Sequence, residues 1–495
     1  MNTKKKFLSF ALACLMLALT FSAAIPVFAQ TQEELDAEKA KEGYVCRIGE
    51  TYYKYFSICH DAAIENNVAY ANTAVGQDRA ETIVLIADIT TQTRSDGSAG
   101  NQTKGGVIQA SRNAINIDGN GHTYNCVDGF KAYKYNITVK NLNMNLIGGG
   151  CFGMVQPNSG SKPTITFENC NFTVASSAFR NKDGYFSKFA TGESSIIIKG
   201  SANKQSIVTI EKTDTTLPLI YSANDTDRLN ITLEYVNFDV STASNMKVID
   251  IGKGGNINVS NSTLKSKNVS ALSIGAVDGT ATTSTVNVNN STVASEADSI
   301  VSFSGNQHTV RLLGNTNLGL TAPTFVAGAS VRTTAGSNGL RFKASLPASV
   351  IANEDVTEYG MLFARTASVS SEFTETALAD GTYIMSKADT AKTVDGVFTF
   401  ALTDIAEDNY NTMYSARAYV KYSRGDATVI VYSTYTADDN SRSLAGVAKM
   451  ATEDFKTTYD AENGYICKIS DGKYSPYDKN QLAVIATYAD KYVAE

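Results

Sequence analysis

The sequence predicts a mainly β protein, in which a right-handed parallel β-helix is followed by a C-terminal β-sandwich plus two short helices. Three observations predict this fold. A ten-residue pattern recurs along the middle of the chain, and its period changes after Pro323. The composition combines a low charged fraction of 19% with 36 Gly and abundant Asn, Ser and Thr, which is typical of an extended β protein with many turns.

The recurring pattern alternates apolar and polar residues and then places Asn, or an equivalent residue, at a turn. Alternation over four to five residues predicts half-buried strands. Asn tolerates the left-handed backbone of a tight corner, and in stacked coils these amides are expected to lie above one another. Because each coil buries its apolar face only against its neighbours, we expect stability to come from stacking. The pattern occurs as INIDGNGHTY (115–124), ITVKNLNMNL (137–146), ITFENCNFTV (165–174), ITLEYVNFDV (231–240), INVSNSTLKS (257–266) and VNVNNSTVAS (286–295), with the corner Asn at Asn141, Asn169, Asn261 and Asn290.

The N-terminal 29 residues have the layout of a secretory signal peptide. Three lysines (residues 4–6) precede an apolar run from Phe7 to Ala24, and a small-residue site ends at Ala29. This layout predicts export and cleavage after Ala29. No other stretch reaches the roughly 18 uninterrupted apolar residues that a membrane span needs. We therefore expect a secreted or cell-surface-associated protein without a transmembrane anchor after cleavage.

The charge balance is acidic. The chain has 43 Lys plus Arg against 49 Asp plus Glu, and removal of the three signal lysines leaves 40 against 49. This balance argues against a nucleic-acid partner, which needs a basic footprint. It also disfavours a polyanionic substrate, unless a bound calcium ion inverts the local field.

The pattern divides the chain into five parts. After Pro323, six short alternating strands separated by Gly, Asp, Asn and Ser turns predict the sandwich. The runs SLAGVAKMA and KNQLAVIATYADKY then predict two amphipathic helices. The predicted parts are a signal peptide (1–29), an N-terminal cap and helix (30–75), the β-helix (76–322), the sandwich module (325–436) and a C-terminal helical segment (437–495).

Several motifs resemble known secreted modules. The stretch VCRIGETYY, followed by SICHDAAIENN, ETIVLIADITT and INIDGNGHTY, resembles the opening of pectin-lyase-like β-helix domains of surface and secreted proteins of Gram-positive anaerobes. The motifs GASVR, GLRF, EYGMLF and ARAYVKY resemble a module that accompanies such domains in secreted Firmicute proteins. The first resemblance implies the fold of residues 44–320. It does not imply an activity, because this fold carries lyases, hydrolases, esterases and noncatalytic adhesins.

Six cysteines remain after the signal peptide, and their pairing stays open. In an oxidising compartment, a Cys46–Cys467 bridge and a Cys46–Cys59 bridge are both compatible with the sequence. Thiols that stack inside the coils without pairing are the plain alternative.

The long insertion at residues 175–195 holds the candidate glycan-binding residues. Sugars stack on exposed aromatic platforms, and Tyr185, Phe186 and Phe189 are the candidate platform in a chain without Trp. The alternative is that these rings pack over the core of the coils.

A short polar loop holds the candidate metal ligands. Asn224, Asp225 and Asp227 carry the oxygen ligands that a hard cation such as calcium prefers, and Arg228 follows them. The same residues also form an ordinary turn between strands. The sequence indicates no required cofactor. Calcium is the metal ion for which these residues supply ligands.

A pair of carboxylates at equivalent repeat positions tests the hydrolase alternative. Glu168 and Glu234 occupy the same outward position but are expected to be two coils apart, roughly 10–14 Å, which is wider than a glycosidase pair allows. Lys140 holds that position one coil before Glu168, which predicts a surface ion pair.

These observations favour a secreted, non-catalytic β-helix protein that binds cell-surface or environmental glycans, or acts as an adhesin-like surface protein. A polysaccharide or a cell-surface glycan is the expected partner. The alternative is a carbohydrate-active enzyme, most plausibly a polysaccharide lyase that works near residues 175–195 or 224–228. No motif assigns catalytic residues.

Overall fold

The computed structural model describes the chain from residue 30 to residue 493, with gaps. No helix in this part of the chain is long and apolar enough to cross a membrane. The predicted signal peptide and its cleavage site at Ala29 lie outside it. The described residues are 30–71, 81–89, 108–110, 114–126, 129–148, 150–157, 160–175, 184–188, 192–222, 228–252, 254–275, 284–297, 300–304, 308–314, 316, 318–334, 337, 339–369, 373–375, 383–424, 427–454 and 479–493.

The middle of the chain winds through three parallel sheets, which we call sheets A, B and C. It passes from A to B to C and returns to A one strand further along, an arrangement consistent with the predicted β-helix. Sheet A contains β3 (Thr82–Leu85), β5 (Ile115–Asp118), β8 (Ile137–Lys140), β11 (Thr164–Glu168), β14 (Ser194–Lys199), β17 (Leu229–Glu234), β20 (Asn256–Ser260), β23 (Thr285–Asn289) and β26 (His308–Leu313). Sheet B contains β6 (Thr123–Cys126), β9 (Asn143–Leu146), β12 (Asn171–Val174), β15 (Ser206–Ile210), β18 (Val236–Asp239), β21 (Thr263–Lys265) and β24 (Thr292–Ala294). Sheet C contains β4 (Ile108–Gln109), β7 (Phe130–Ala132), β10 (Gly153–Val155), β13 (Phe186–Lys188), β16 (Ile220–Ser222), β19 (Ile249–Ile251), β22 (Leu272–Ile274) and β25 (Val301–Phe303).

The corner between sheets A and B is the left-handed turn that the Asn pattern predicts. Asn141, Asn169, Asn261 and Asn290 have φ angles of 51°, 54°, 50° and 45°. Their backbone N–H groups donate to carbonyls of the next coil, for example from Asn169 to Lys199 O at 2.7 Å. Asn suits this corner because its φ is positive, where most side chains are strained. The corner residues therefore bend the chain and bond the coils to one another.

The interior of the coils is filled by the side chains at every second position of the strands. Phe172 on β12 lies 4.9 Å from Phe186 on β13 and 5.3 Å from Phe167 on β11, measured between ring centroids, in edge-to-face contacts. Such pairs stabilise a core beyond the area they bury. Phe167, Phe172 and Phe186 come from sheets A, B and C, so this aromatic contact ties the three sheets together.

The N-terminal end of sheet A is covered by a cap. It consists of α1 (Gln32–Lys41), β1 (Cys46–Ile48), β2 (Thr51–Tyr53) and α2 (Phe56–Ala71), and β1 pairs antiparallel with both β2 and β3. Asp36 on α1 binds the hairpin, because it accepts hydrogen bonds from Arg47 at 3.0 Å and from the Tyr52 hydroxyl at 2.7 Å. On the inner side, Phe56 of α2 packs against Tyr124 of sheet B.

The C-terminal module continues sheet A. Its strand β33 (Ala427–Tyr432) pairs in parallel with β26, the last strand of the coils. β33 is followed in the same sheet by β32 (Tyr414–Arg424), β29 (Val356–Arg365) and β30 (Tyr383–Lys387), and the short β34 (Ser441–Arg442) pairs with β32. A second sheet of β27 (Thr324–Arg332), β28 (Gly339–Ser345) and β31 (Val397–Thr403) faces this layer, with Phe342 and Phe363 in contact across the interior. The two layers are consistent with the predicted sandwich.

Four helices complete the described module. They are α3 (Ala348–Ile351), α4 (Ala437–Asn440), α5 (Leu444–Asp454) and α6 (Lys479–Ala489). The last two match the predicted amphipathic runs, and they pack on each other while α4 and α5 contact β27. Leu444 and Ile485 are buried in this contact.

A buried ion pair lies at the seam between the coils and the module. Arg311 on β26 lies 2.6 Å from the carboxylate of Glu375, and the Tyr432 hydroxyl on β33 donates to the same carboxylate. Burial opposes ionisation of Glu375, but the hydrogen bond and charge of Arg311 outweigh it and lower the pKa of the carboxyl. The ionised pair therefore stabilises the junction.

Substitution at a left-handed corner tests the origin of the Asn pattern. We expect Asn169→Val to lower the free energy of unfolding by about 1–2 kcal/mol, because a β-branched residue is strained at positive φ. Asn169→Gly is expected to cost less, since Gly adopts this backbone without strain. Urea unfolding measures both, and Thr166→Val on the adjacent strand is the control. Equal losses for Val and Gly would contradict the corner assignment.

The seam predicts an acid-sensitive stability. The pKa of Glu375 is lowered from its ordinary value of 4.5. Its contribution to stability is therefore present above that value and is lost as the pH falls through the lowered pKa. Glu375→Gln should cost about 3 kcal/mol at pH 7, because Arg311 then stays buried without its counter-charge. It should also reduce the fall of the calorimetric melting temperature between neutral and acid pH. An unchanged fall would show that Glu375 does not cause it.

Candidate functional site

The predicted aromatic platform is not on the surface at the two residues that can be placed. Tyr185 and Phe186 are fully buried. Phe186 belongs to β13 of sheet C, and the Tyr185 hydroxyl donates to Thr215 Oγ1 at 2.9 Å. Part of the predicted insertion is therefore a coil strand, and buried rings cannot stack on a sugar. Phe189 lies outside the described residues.

The predicted calcium ligands Asn224, Asp225 and Asp227 also lie outside the described residues. In the part of the chain that the structure covers, no group of three or more His, Cys, Asp or Glu side chains is placed to hold a metal ion. Arg228, which borders this loop, is described and contributes to the electrostatic environment of Glu193.

A polar cluster occupies the corner next to that loop. Glu193 lies 2.6 Å from Lys162 Nζ and accepts a hydrogen bond of 2.9 Å from the Asn230 side chain. These hydrogen bonds, to Lys162 first, lower the pKa of Glu193. The carboxylate is therefore ionised and paired at neutral pH, which makes it a loop anchor rather than a proton donor.

The outward carboxylates of sheet A are spaced and paired as the repeat predicts. Glu168 and Glu234 are separated by Lys199, which pairs with both in the strand register. Lys140 Nζ lies 3.0 Å from Glu168. With Asp118 opposite Lys140, this row alternates in charge from coil to coil. Alternating charges directly opposite one another stabilise a sheet, so the row has a structural explanation.

A groove lies in the C-terminal module, at the side formed by β30 and β31. β30 and β31 are the terminal strands of the two facing sheets, and the groove runs between them. We call it the sandwich groove. Its volume is about 530 Å³, within the roughly 300–1,000 Å³ of small-ligand sites. It is lined by Phe363, Ala364, Arg365, Tyr383, Ile384, Leu402 and Tyr414.

Apolar side chains of β29, β30 and β31 line the sandwich groove. Phe363 belongs to the inner face and is buried, whereas Ile384, directly opposite it on β30, is 53% exposed. This exposure has a topological cause: among the described strands, β30 has a neighbour on one side only, so part of its apolar surface stays uncovered by them. Apolar surface that remains open on a folded module is typical of a binding site.

Arg365 places a positive charge at the end of this groove. It lies directly opposite Tyr414 in the register of β29 and β32, and residues opposite one another share a face of the sheet. Arg442, opposite Tyr414 on the other side, donates to the carbonyl oxygens of Asp438 and Ser441. The exposed guanidinium of Arg365 has no ion pair or hydrogen bond with another described residue. It is thus available to an anionic or hydroxylated ligand.

A second groove lies at the junction of the coils and the module. Its volume is about 580 Å³, and it is bordered by β25, by the connection at Leu318–Leu320 and by Arg424 and Val429. Arg424 is paired with Asp355. Near this groove, the His308 ring stacks on Phe303 with centroids 5.6 Å apart. Arg424, the one charged residue among the described residues that line this groove, therefore already has a counter-charge.

The sequence patterns do not predict the sandwich groove. Its lining residues come from strands far apart in the chain, and the residues themselves follow ordinary strand alternation. A signal was present in YIMSK, the β30 segment, where apolar residues occur next to one another in a strand that ends its sheet.

Comparisons with protein-family models, with curated proteins and with solved structures find no match to this chain.

Truncation of Phe186 tests the placement of the predicted platform. We expect Phe186→Ala to lower the free energy of unfolding by about 3–5 kcal/mol, because it empties a site in the aromatic core of the coils. Ile384→Ala, at an exposed position, should change it by at most about 0.5 kcal/mol. Chemical denaturation measures both. A neutral Phe186→Ala variant would mean that the ring is on the surface after all.

Proposed function

We propose that this chain is a secreted or cell-surface-associated, non-catalytic protein that binds glycans through the sandwich groove. The coils serve as a pectin-lyase-like scaffold, and the C-terminal module is the binding part, as in an adhesin. The signal-like N-terminus supports export, and the resemblance of the opening motifs to surface proteins of Gram-positive anaerobes supports the setting.

The exposed aromatic groove is the observation that carries this proposal. Sugar rings present apolar C–H faces together with hydroxyl groups, so they suit a surface that combines aromatic rings with polar ends. Tyr414 supplies a ring that carries a hydroxyl, on the same face of the sheet as Arg365, which supplies five N–H donors. A groove open at its sides accommodates one segment of a longer chain of sugars.

The paired charges of sheet A favour binding over hydrolysis. Glu168 and Glu234 are two coils apart, and Glu193 is ionised and bound by Lys162. A glycosidase needs two carboxyl groups about 5–9.5 Å apart with different protonation states. Glu168 and Glu193 form ion pairs instead, and Glu234 lies opposite Lys199 in the strand register. The polysaccharide lyase near residues 224–228 remains the alternative, and the experiment below distinguishes it.

Glycan binding can be tested with the mature chain on an array of bacterial, plant and host glycans. We expect a subset to bind, and Tyr414→Ala to weaken that binding at least about ten-fold, which corresponds to about 1.4 kcal/mol. Tyr492→Ala is the matched control, because Tyr492 is 42% exposed and lies outside the groove. Binding that is unaffected by Tyr414→Ala would place the site elsewhere. Release of unsaturated sugar ends from the array glycans would favour the lyase.

The charge of Arg365 predicts which glycans bind best. Because the guanidinium has no counter-charge among the described residues, carboxylated sugars should bind more tightly than neutral analogues, despite the acidic balance of the whole chain. Arg365→Gln should abolish this preference and its salt dependence, while Lys387→Gln on β30 should not. Titration calorimetry at two salt concentrations measures the effect. An equal affinity for neutral and carboxylated glycans would contradict the role of Arg365 and leave binding by Tyr414 intact.

A further inference from the structure

The N-terminal cap brings two cysteines together at the point where it covers the coils. Cys46 is the first residue of β1 and lies opposite Tyr53 on β2 and Leu85 on β3. Cys59 lies in the first turns of α2, which packs against β1. Both side chains are fully buried in the hydrophobic core of the cap.

The two thiols are close neighbours within this core. Burial, together with the hydrogen bond to Cys59, raises the pKa of Cys46 well above its ordinary value. Both cysteines also contribute to the raised pKa of Tyr53, for which burial is the larger cause. Both are free thiols in this structure, one on a strand and the other on the helix packed on it.

We propose that Cys46 and Cys59 form a disulfide that fastens helix α2 to strand β1 and so locks the cap onto the first coil. The bond forms by exchange with a disulfide-containing oxidant, either a protein or a small molecule. One thiolate attacks the oxidant and forms a mixed disulfide, which the second thiolate resolves. The two thiols thereby lose two electrons and two protons, and the oxidant leaves as two thiols.

Burial determines when this reaction takes place. The thiolate is the attacking species, and in the closed cap both thiols are shielded from water and the pKa of Cys46 is raised. The exchange therefore occurs while the cap is still open, during folding. Once it is formed and buried, the bond is protected from reductants for the same reason.

The lock acts where the coils would otherwise present an open end. β1 covers the free edge of β3, and Phe56 on α2 fills the interior against Tyr124. Solenoids need such capping elements, because terminal coils have no neighbour to stack on. A covalent link closes the segment between Cys46 and Cys59 into a short loop and removes unfolded conformations in which α2 is detached.

Cys170 provides a matched comparison. It is fully buried in the coils, its thiol donates to the carbonyls of Val139 and Glu168, and burial raises its pKa to about 12. It therefore represents a buried cysteine that is already satisfied by the backbone. We expect it to remain a thiol in the same protein preparation.

Peptide mapping of the full mature chain, folded under oxidising conditions and alkylated in denaturant without reduction, tests the proposal. We expect one linked peptide pair that holds Cys46 and Cys59, lighter by two hydrogen atoms than the separate thiols, and an alkylated Cys170. Alkylation of both Cys46 and Cys59 would overturn the proposal. A link from Cys46 to Cys467, which lies outside the described residues, would overturn it as well.

Hydrogen exchange of α2 measures the mechanical consequence. Amides of the Phe56–Ala71 helix should lose roughly 100-fold of their protection when the chain is refolded under reducing conditions, since a loop of this size contributes about two decades. A Cys46→Ser variant in oxidant should match the reduced protein, and Cys170→Ser should keep α2 protected. Reduction of the unaltered chain gives the same comparison if the variant does not fold. Unchanged protection would show that the cap does not depend on the bond.

Discussion

The hydrogen-bonded ladder of sheet A is the interaction on which the other features depend. Every coil of the middle region offers its open edge to the next, and the corner N–H groups, such as that of Asn169, bond in the same direction. The last strand of a parallel stack keeps an unpaired edge unless another segment covers it. In sheet A the antiparallel strand β1 covers one end, and β33 covers the other and extends the ladder into the C-terminal module.

This way of ending the stack determines where binding surface remains. The module uses β33 to join the coils, and Arg311 with Glu375 secures that side. Its opposite side is formed by β30 and β31, and no further strand among the described residues covers it. In the coils, inward side chains form the core and the outward charges of one row pair with their neighbours. The apolar surface and Arg365, which has no counter-charge among the described residues, are therefore found together at the far edge of the module, which is why we propose that glycans bind there.

Local patterns in the sequence predicted much of this fold, and they failed where the structure depends on distant pairing. The corners with Asn could be predicted because a positive φ strains most other residues. Tyr235 adopts the same backbone at one corner, which its residue type does not indicate. The strands of sheet C have mostly three residues, too few to show alternation. The sequence pattern therefore assigns β13 to a loop and predicts that the ring of Phe186 lies on the surface. The pairing of β26 with β33 and the meeting of Arg365 with Leu402 in the groove join segments that are far apart in the chain, so no local pattern indicates them.

The division of labour between a scaffold of coils and a binding module is the central claim, and a hydrogen-exchange footprint of the glycan-bound protein tests it most directly. With a glycan that binds the mature chain, the account predicts slower exchange at Tyr383–Lys387 and Val397–Thr403, and unchanged exchange along sheet A. Slower exchange confined to residues 175–195 or 224–228 would contradict it, because the ligand would then occupy the loops of the coils.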